Sequence, residues 1–276
     1  MTVRSGPPLL DLRNVTVFRG ERPALDRVSL RIASGEHVCI LGPNGCGKST
    51  LIKTITRELY PVFSDDSSMT ILGKDLWDVS ELRSRMGIVS PDLVTERSGD
   101  ATGRRVVLGG LFASAHTFPH HRVTPELTAR ADAALERLHV AHLADRPLRE
   151  MSSGEVKRTL IARALVHDPH TLLLDEPSNA LDIAAQLQLQ AALRTLATGG
   201  LGILLVTHHV AEIIPEIDRV VLLRRGRIVA DGPKASVLTQ ANLETLFGVP
   251  VELTARDGFF QIRRSPAPVN RAGRAR

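Results

Sequence analysis

Residues Gly42 to Ser49 read Gly-Pro-Asn-Gly-Cys-Gly-Lys-Ser, an eight-residue spacing that ends in Gly-Lys and a hydroxyl. The apolar run Val38-Cys39-Ile40-Leu41 leads into it, and the helix-like stretch Thr50-Leu51-Ile52-Lys53 follows. A phosphate-binding loop works only in that setting, between a buried strand and a helix N-terminus. Gly42, Gly45 and Gly47 allow backbone angles that side chains forbid. The rest of the loop, Pro43, Asn44 and Cys46, and Thr50 after it, can therefore wrap phosphate oxygens with main-chain N–H groups. Lys48 adds a charge for the β- and γ-phosphates, and Ser49 offers a hydroxyl to Mg²⁺. The pattern implies a nucleoside triphosphate site with Mg²⁺ in an α/β fold.

With 276 residues and 43% hydrophobic content, the chain can bury a core, which excludes wholesale disorder. The longest apolar stretch, Val106 to Ala115, is too short and too glycine-rich to span a membrane. The N-terminus has no charged-then-apolar leader pattern, so a cytoplasmic location is expected. Cys39 and Cys46 are the only cysteines; a disulfide at Cys46 would cripple the loop, and reduced thiols are expected. The net charge of +5 is a C-terminal effect, because Arg256 to Arg276 carries six Arg and one Asp and the preceding chain is formally neutral. Pro266, Pro268 and Gly273 mark this end as a flexible basic tail, a solvated end that could touch acidic lipid or nucleic acid.

Leu9–Val17 and Arg27–Ile32 alternate apolar and polar residues, which predicts a small N-terminal antiparallel sheet. A block from about Asp92 to Arg149 has a different texture. It contains a helix with Thr124 as N-cap, Pro125 at N1, and Leu127, Ala131, Ala134, Leu135 and Leu138 on one face. Three apolar runs without alternation read as strands of a mostly parallel sheet, buried on both faces. They are Val38–Leu41, Leu172–Leu174 before Asp175-Glu176, and Ile203–Thr207 before His208. Ligands in such sheets bind at the carboxyl ends of the strands, so the three motifs should converge. Val220–Leu223, Arg225-Gly226 and Ile228–Ala230 predict a closing hairpin.

Asp175, at a buried strand end, suits a hold on Mg²⁺, and Glu176 beside it suits polarisation of an attacking water. Taken with Met151-Ser152-Ser153-Gly154-Glu155 and the helix after it, these residues resemble the ATP-binding cassette family over nearly the whole chain. The resemblance implies a P-loop NTPase core with an N-terminal antiparallel β-subdomain and an inserted helical subdomain (about 92–150) within residues 9–248. Residues 249–276 are then a C-terminal extension. It also implies an ATPase whose Ser152, Ser153 and Gly154 meet the γ-phosphate held by a second subunit, so that two cassettes sandwich two ATP molecules. Phe18 falls where the family stacks an aromatic on adenine. Ser178 to Asp182 matches the loop by which the two sites sense each other. His208 matches the switch histidine, whereas His209 does not align, and His120-His121 have no assigned role.

Two departures stand out. Ser153 replaces a usual glycine and Glu155 a usual glutamine. No glutamine occurs between Thr56 and Ala185, so Asp92 is the candidate for the Mg²⁺-side oxygen after the strand Met86–Val89. The Val-Ser-Pro-Asp-Leu string and the altered signature resemble a molybdate-transport or photorepair-like branch. The expected partners are a second cassette subunit and a membrane permease at the inner face of the cell membrane, with nucleic acid as the competing partner. The surface around Leu108, Leu111 and Phe112 either contacts that permease or folds into the subdomain core.

Overall fold

The computed structural model describes residues 6–90 and 99–265. Its strands and helices run β1 (Leu10–Arg19), β2 (Arg22–Ile32), β3 (Val38–Leu41), α1 (Lys48–Ile55), β4 (Ser68–Ile71), α2 (Val79–Arg85) and β5 (Gly87–Val89). Then come α3 (Gly103–Leu111), α4 (Pro125–Arg137), α5 (Ser153–Leu165), β6 (Thr171–Asp175), α6 (Ile183–Thr198) and β7 (Gly202–Thr207). The chain continues through β8 (Arg219–Arg224), β9 (Arg227–Pro233), α7 (Lys234–Val237), α8 (Gln240–Phe247), β10 (Val251–Arg256) and β11 (Phe259–Arg264).

The central sheet has the order β5-β6-β7-β3-β8-β9, parallel except for the final hairpin partner β9. Alternation along its strands splits their side chains between two cores. Cys39, Leu41, Leu172, Leu174, Ile203 and Leu205 pack with α3, α4, α5 and α6 on one face. Val38, Ile40, Leu173, Leu204 and Val206 pack with α1 and the N-terminal strands on the other. Both faces are covered, which is why these strands read as unbroken apolar runs. The N-terminal strands form a separate antiparallel sheet of order β2-β1-β4, with β4 an addition that the alternation at residues 9–32 did not reveal. Thr124 caps α4 as expected, its hydroxyl accepting the Leu127 N–H at 3.3 Å. Arg225 and Gly226 turn the β8–β9 hairpin with φ of 49° and 76°, the paired positive angles of a tight two-residue turn.

One expectation changes. The basic end is not a tail from Arg256 onward: β10 and β11 pair from Val251↔Arg264 to Arg256↔Phe259, a ribbon whose Phe259 and Phe260 are half-buried. Phe259 and Phe260 anchor it by taking Arg194 and Lys234 over their rings, at 5.7 and 5.9 Å. Pro266, Pro268 and Gly273 lie outside the described residues, as do Pro91 and Asp92. Most of the stretch Val106–Phe112 is α3, with Val106, Val107 and Leu108 buried and Leu111 and Phe112 partly open, so it divides between the subdomain core and the surface.

Candidate functional site

The carboxyl ends of β3, β6 and β7 lie side by side, and each delivers its motif to one place. Gly42 N–H donates to Thr207 O at 3.1 Å, tying the glycine loop to the end of β7. The β8–β9 turn braces the loop from behind, Gly226 N–H donating to Cys46 O at 2.7 Å. Gly47 has φ 114°, and a Cβ there would stand 2.6 Å from Ala24 O, so β2 closes the third side. α1 starts directly after Gly47 with no side-chain cap, and its first-turn N–H groups face the cavity mouth with their partial positive charge.

The cavity has a volume of about 440 Å³ and is lined by Asn44, Gly45, Gly47, Lys48, Ser49, Thr50, Asp175 and Glu176 together with Arg19 and Ala24. Arg19 and Ala24 were not legible from motif spacing; they arrive because β1 and β2 fold over the loop. Pro43 and Cys46 do not line it. Pro43 O accepts from Lys48 Nζ at 3.1 Å and from Cys46 N–H at 3.3 Å, and Cys46 is buried behind the loop. Burial pushes the Cys46 thiol up, and both cysteines are free. Phe18 is 45% exposed, which excludes a core role, and it lies next to Arg19 at the rim and not in the wall.

Lys48 is buried at the floor, with Nζ also donating to Gly42 O at 2.8 Å and standing 3.4 Å from Glu176 Oε1. Glu176 has φ 46°, a left-handed conformation that a non-glycine residue holds only when its surroundings impose it. Its N–H donates to Val206 O at 2.8 Å, and its Oε1 lies 2.9 Å from His208 Nδ1. One carboxylate oxygen thus sits between the lysine and the histidine. His209 packs against His208 with the rings tilted and their centroids 3.8 Å apart, and lies outside this contact.

Ser49 and Asp175 are the side chains on the wall suited to a hard cation. Mg²⁺ is held by one or two protein oxygens plus phosphate and water, in contrast to an all-protein cage. The donor set fits: the Ser49 hydroxyl and the Asp175 carboxylate line the same cavity as the phosphate loop.

Ser152, by contrast, opens onto a different cavity, of about 470 Å³, that it shares with Glu155, Arg158 and Asp182. Ser152 caps α5 and forms a capping box: Glu155 N–H donates to Ser152 Oγ at 3.3 Å, and Ser152 N–H to Glu155 Oε2 at 2.7 Å. These bonds hold the Glu155 carboxyl below its usual range. Ser153 is exposed, so a side chain fits where glycine is usual. Gly154 has a packing reason of its own, because a Cβ there would lie 2.7 Å from Ala185 Cβ of α6. Asp182 caps α6 through the Ala185 N–H at 2.8 Å and belongs to this second cavity. His120 and His121 lie elsewhere, against Phe118, with His121 also stacked on Phe112.

The profile of the ABC transporter family matches residues 25–179. A hemin import ATP-binding protein of Rhodococcus jostii is 34% identical over 90% of this chain and 83% of its own. A cobalt import ATP-binding protein of Rhodobacter capsulatus is 35% identical over 84% of this chain and 81% of its own. Among solved structures, a dimeric bacterial ABC transporter cassette superposes with a TM-score of 0.66 at 27% identity, covering 81% of this chain and 98% of that one. With the phosphate loop, the strand-end carboxylates and the capped signature helix all in place, the chain belongs to the ABC transporter family as one of its ATP-binding cassettes.

Proposed function

We infer that this protein binds and hydrolyses ATP as one half of a cassette pair, and that the cycle powers a membrane permease importing a metal ion or metal complex. The observation that carries the reading is the convergence of Lys48, Ser49, Asp175 and Glu176 on one cavity, with His208 bonded to Glu176. Lys48 and the first turn of α1 attract the β- and γ-phosphates. Ser49 and Asp175 hold Mg²⁺, which when bound offsets phosphate charge and orients the γ-phosphoryl group. Glu176 polarises the attacking water, and His208 orients the Glu176 carboxylate and reaches the γ-phosphate.

The separation of the two cavities supports pairing: Ser152 lines a cavity other than that of its own phosphate loop, and in this reading Ser152, Ser153 and Gly154 meet the γ-phosphate held by a second copy. The dimeric cassette relative supports the same arrangement. A groove of about 460 Å³ between α2 and β5 on one side and α3 and α5 on the other suits the permease, with Leu111 and Phe112 on its wall beside Arg83 and Arg163. Among the described residues no helix is long and apolar enough to cross a membrane, which fits a subunit docked at the cytoplasmic face. Metal-containing cargo rests on the relatives named for hemin and cobalt import. The molybdate-transport or photorepair-like placement has only the Val89–Leu93 string and the altered signature behind it. Neither relative's description involves nucleic acid.

The test is a pair of substitutions. Lys48→Ala should lose most ATP affinity. Glu176→Gln should bind ATP, lose roughly 10²- to 10⁴-fold in turnover, and accumulate as an ATP-dependent dimer by light scattering. Undiminished turnover in Glu176→Gln would remove that residue from the mechanism.

A further inference from the structure

Glu212 is only 7% exposed, at the end of a single helical turn, Val210–Glu212, that follows His208-His209. A carboxylate so deeply buried is costly unless partnered. Its Oε1 accepts a short hydrogen bond from Ser178 Oγ, two residues beyond Glu176. Its Oε2 is buried with no hydrogen-bond partner among the described protein groups. Burial lowers the pKa of Lys157 on α5, the helix headed by Ser152, and the charges of Asp175 and Glu212 oppose that shift.

The turn that carries Glu212 is fastened from outside as well. Gln190 Nε2 of α6 donates to Ala211 O at 2.8 Å, and β11 of the C-terminal ribbon packs against the same turn. Two segments thus meet at one buried acid: the loop after Glu176 and the loop after His208. Glu176 meanwhile keeps a left-handed backbone at φ 46°. Such a conformation persists only where neighbouring contacts over-determine it, and the Ser178–Glu212 bond adds to those that Glu176 itself makes with Val206, His208 and Asn179.

We propose that Glu212 is a positioning residue of the hydrolytic site: through Ser178 it locks the loop after Glu176 to the loop carrying His208, and so keeps the Glu176–His208 pair aligned. Glu212 touches no substrate. The inference rests on the proposed ATPase reading and adds to it a residue that neither motif spacing nor the cavity walls would select.

The experiment uses the full chain, with Glu212→Gln, Ser178→Ala, the double variant and Ser178→Thr. Trinitrophenyl-ATP binding, kcat, KM and urea unfolding are measured for each. Glu212→Gln and Ser178→Ala should each lower kcat roughly 10- to 100-fold while KM and nucleotide affinity stay close to wild type, as for other outer-shell partners. The double variant should be no worse than the poorer single one, because both remove the same contact. Ser178→Thr keeps the hydroxyl and should recover most of the turnover. If Glu212→Gln does not fold, Ser178→Ala interrogates the same bond with a smaller perturbation. Unchanged kcat in a folded variant, a fall that only tracks the folded fraction, or losses that multiply in the double variant would each overturn the proposal. A wild-type protein that hydrolyses no ATP would instead overturn the ATPase reading, and this inference with it.

Discussion

Gly45 and Gly47 occupy the same loop, yet the structure assigns them very different tolerance to an added methyl group. At Gly45, φ is 75° and nothing stands within 4 Å of a Cβ. Alanine there meets only the left-handed backbone penalty, roughly 1–2 kcal/mol. At Gly47, φ is 114°, far from the left-handed minimum, and the Cβ would lie 2.6 Å from Ala24 O. Backbone strain of about 1–3 kcal/mol and an overpacking cost of about 1–3 kcal/mol both apply, for a total of about 2–6 kcal/mol. The clash is with main chain in β2, so no rotamer change relieves it. Urea titrations of Gly45→Ala and Gly47→Ala without nucleotide should differ by about 2.5 kcal/mol, the gap between the midpoints of these ranges, at equal m-value, with Gly47→Ala the weaker protein. Gly47→Ala should also lose more ATP affinity, since β2 can clear the methyl group only by moving the loop. If the two variants unfold within about 1 kcal/mol of each other, the close approach of β2 to the loop is wrong.

Two further outcomes are expected. Phe112 sits half-buried at the groove rim, stacked on His121 with centroids 4.4 Å apart. Phe112→Asp should therefore keep basal ATPase activity and lose association with permease-containing membranes, whereas a large drop in melting temperature with membrane association intact would return Phe112 to a core role. His37 is buried, and its Nδ1 accepts the Ile203 N–H at 3.3 Å. Burial lowers its pKa below 6.5, against the opposing pull of Asp218, Glu216 and Glu36. Below pH 6.5 the unfolded chain then takes up the proton first, so this residue's contribution is intact above that value and declines as pH falls. Unfolding free energies at pH 7.5 and 5.5 should show a smaller acid loss in His37→Gln than in wild type; an equal loss would place the sensitivity elsewhere.

The nucleotide end of the molecule was legible because its chemistry is local. A glycine loop between a buried strand and a helix, and a carboxylate pair closing another apolar strand, state their geometry within a dozen residues. Strands buried on both faces announce themselves as unbroken apolar runs, so the parallel core was predictable, as were the capped helix at Thr124 and the hairpin at Arg225-Gly226. What sequence spacing could not supply is anything created by distant segments meeting. Arg19 and Ala24 enter the cavity wall only because β1 and β2 fold over the loop. Gly154 is required by Ala185, 31 positions away in sequence, as much as by an anion. Leu108 turned inward while Leu111 and Phe112 stayed at a groove, a division set by what α3 packs against. The basic C-terminus looked like a solvated tail because of its six arginines and its Pro266, Pro268 and Gly273, yet Phe259 and Phe260 find Arg194 and Lys234 and fold residues 251–264 into a ribbon. Local backbone chemistry is written residue by residue; burial, close approach and the partners of a buried charge are properties of the packed chain, and the tertiary structure alone decides them.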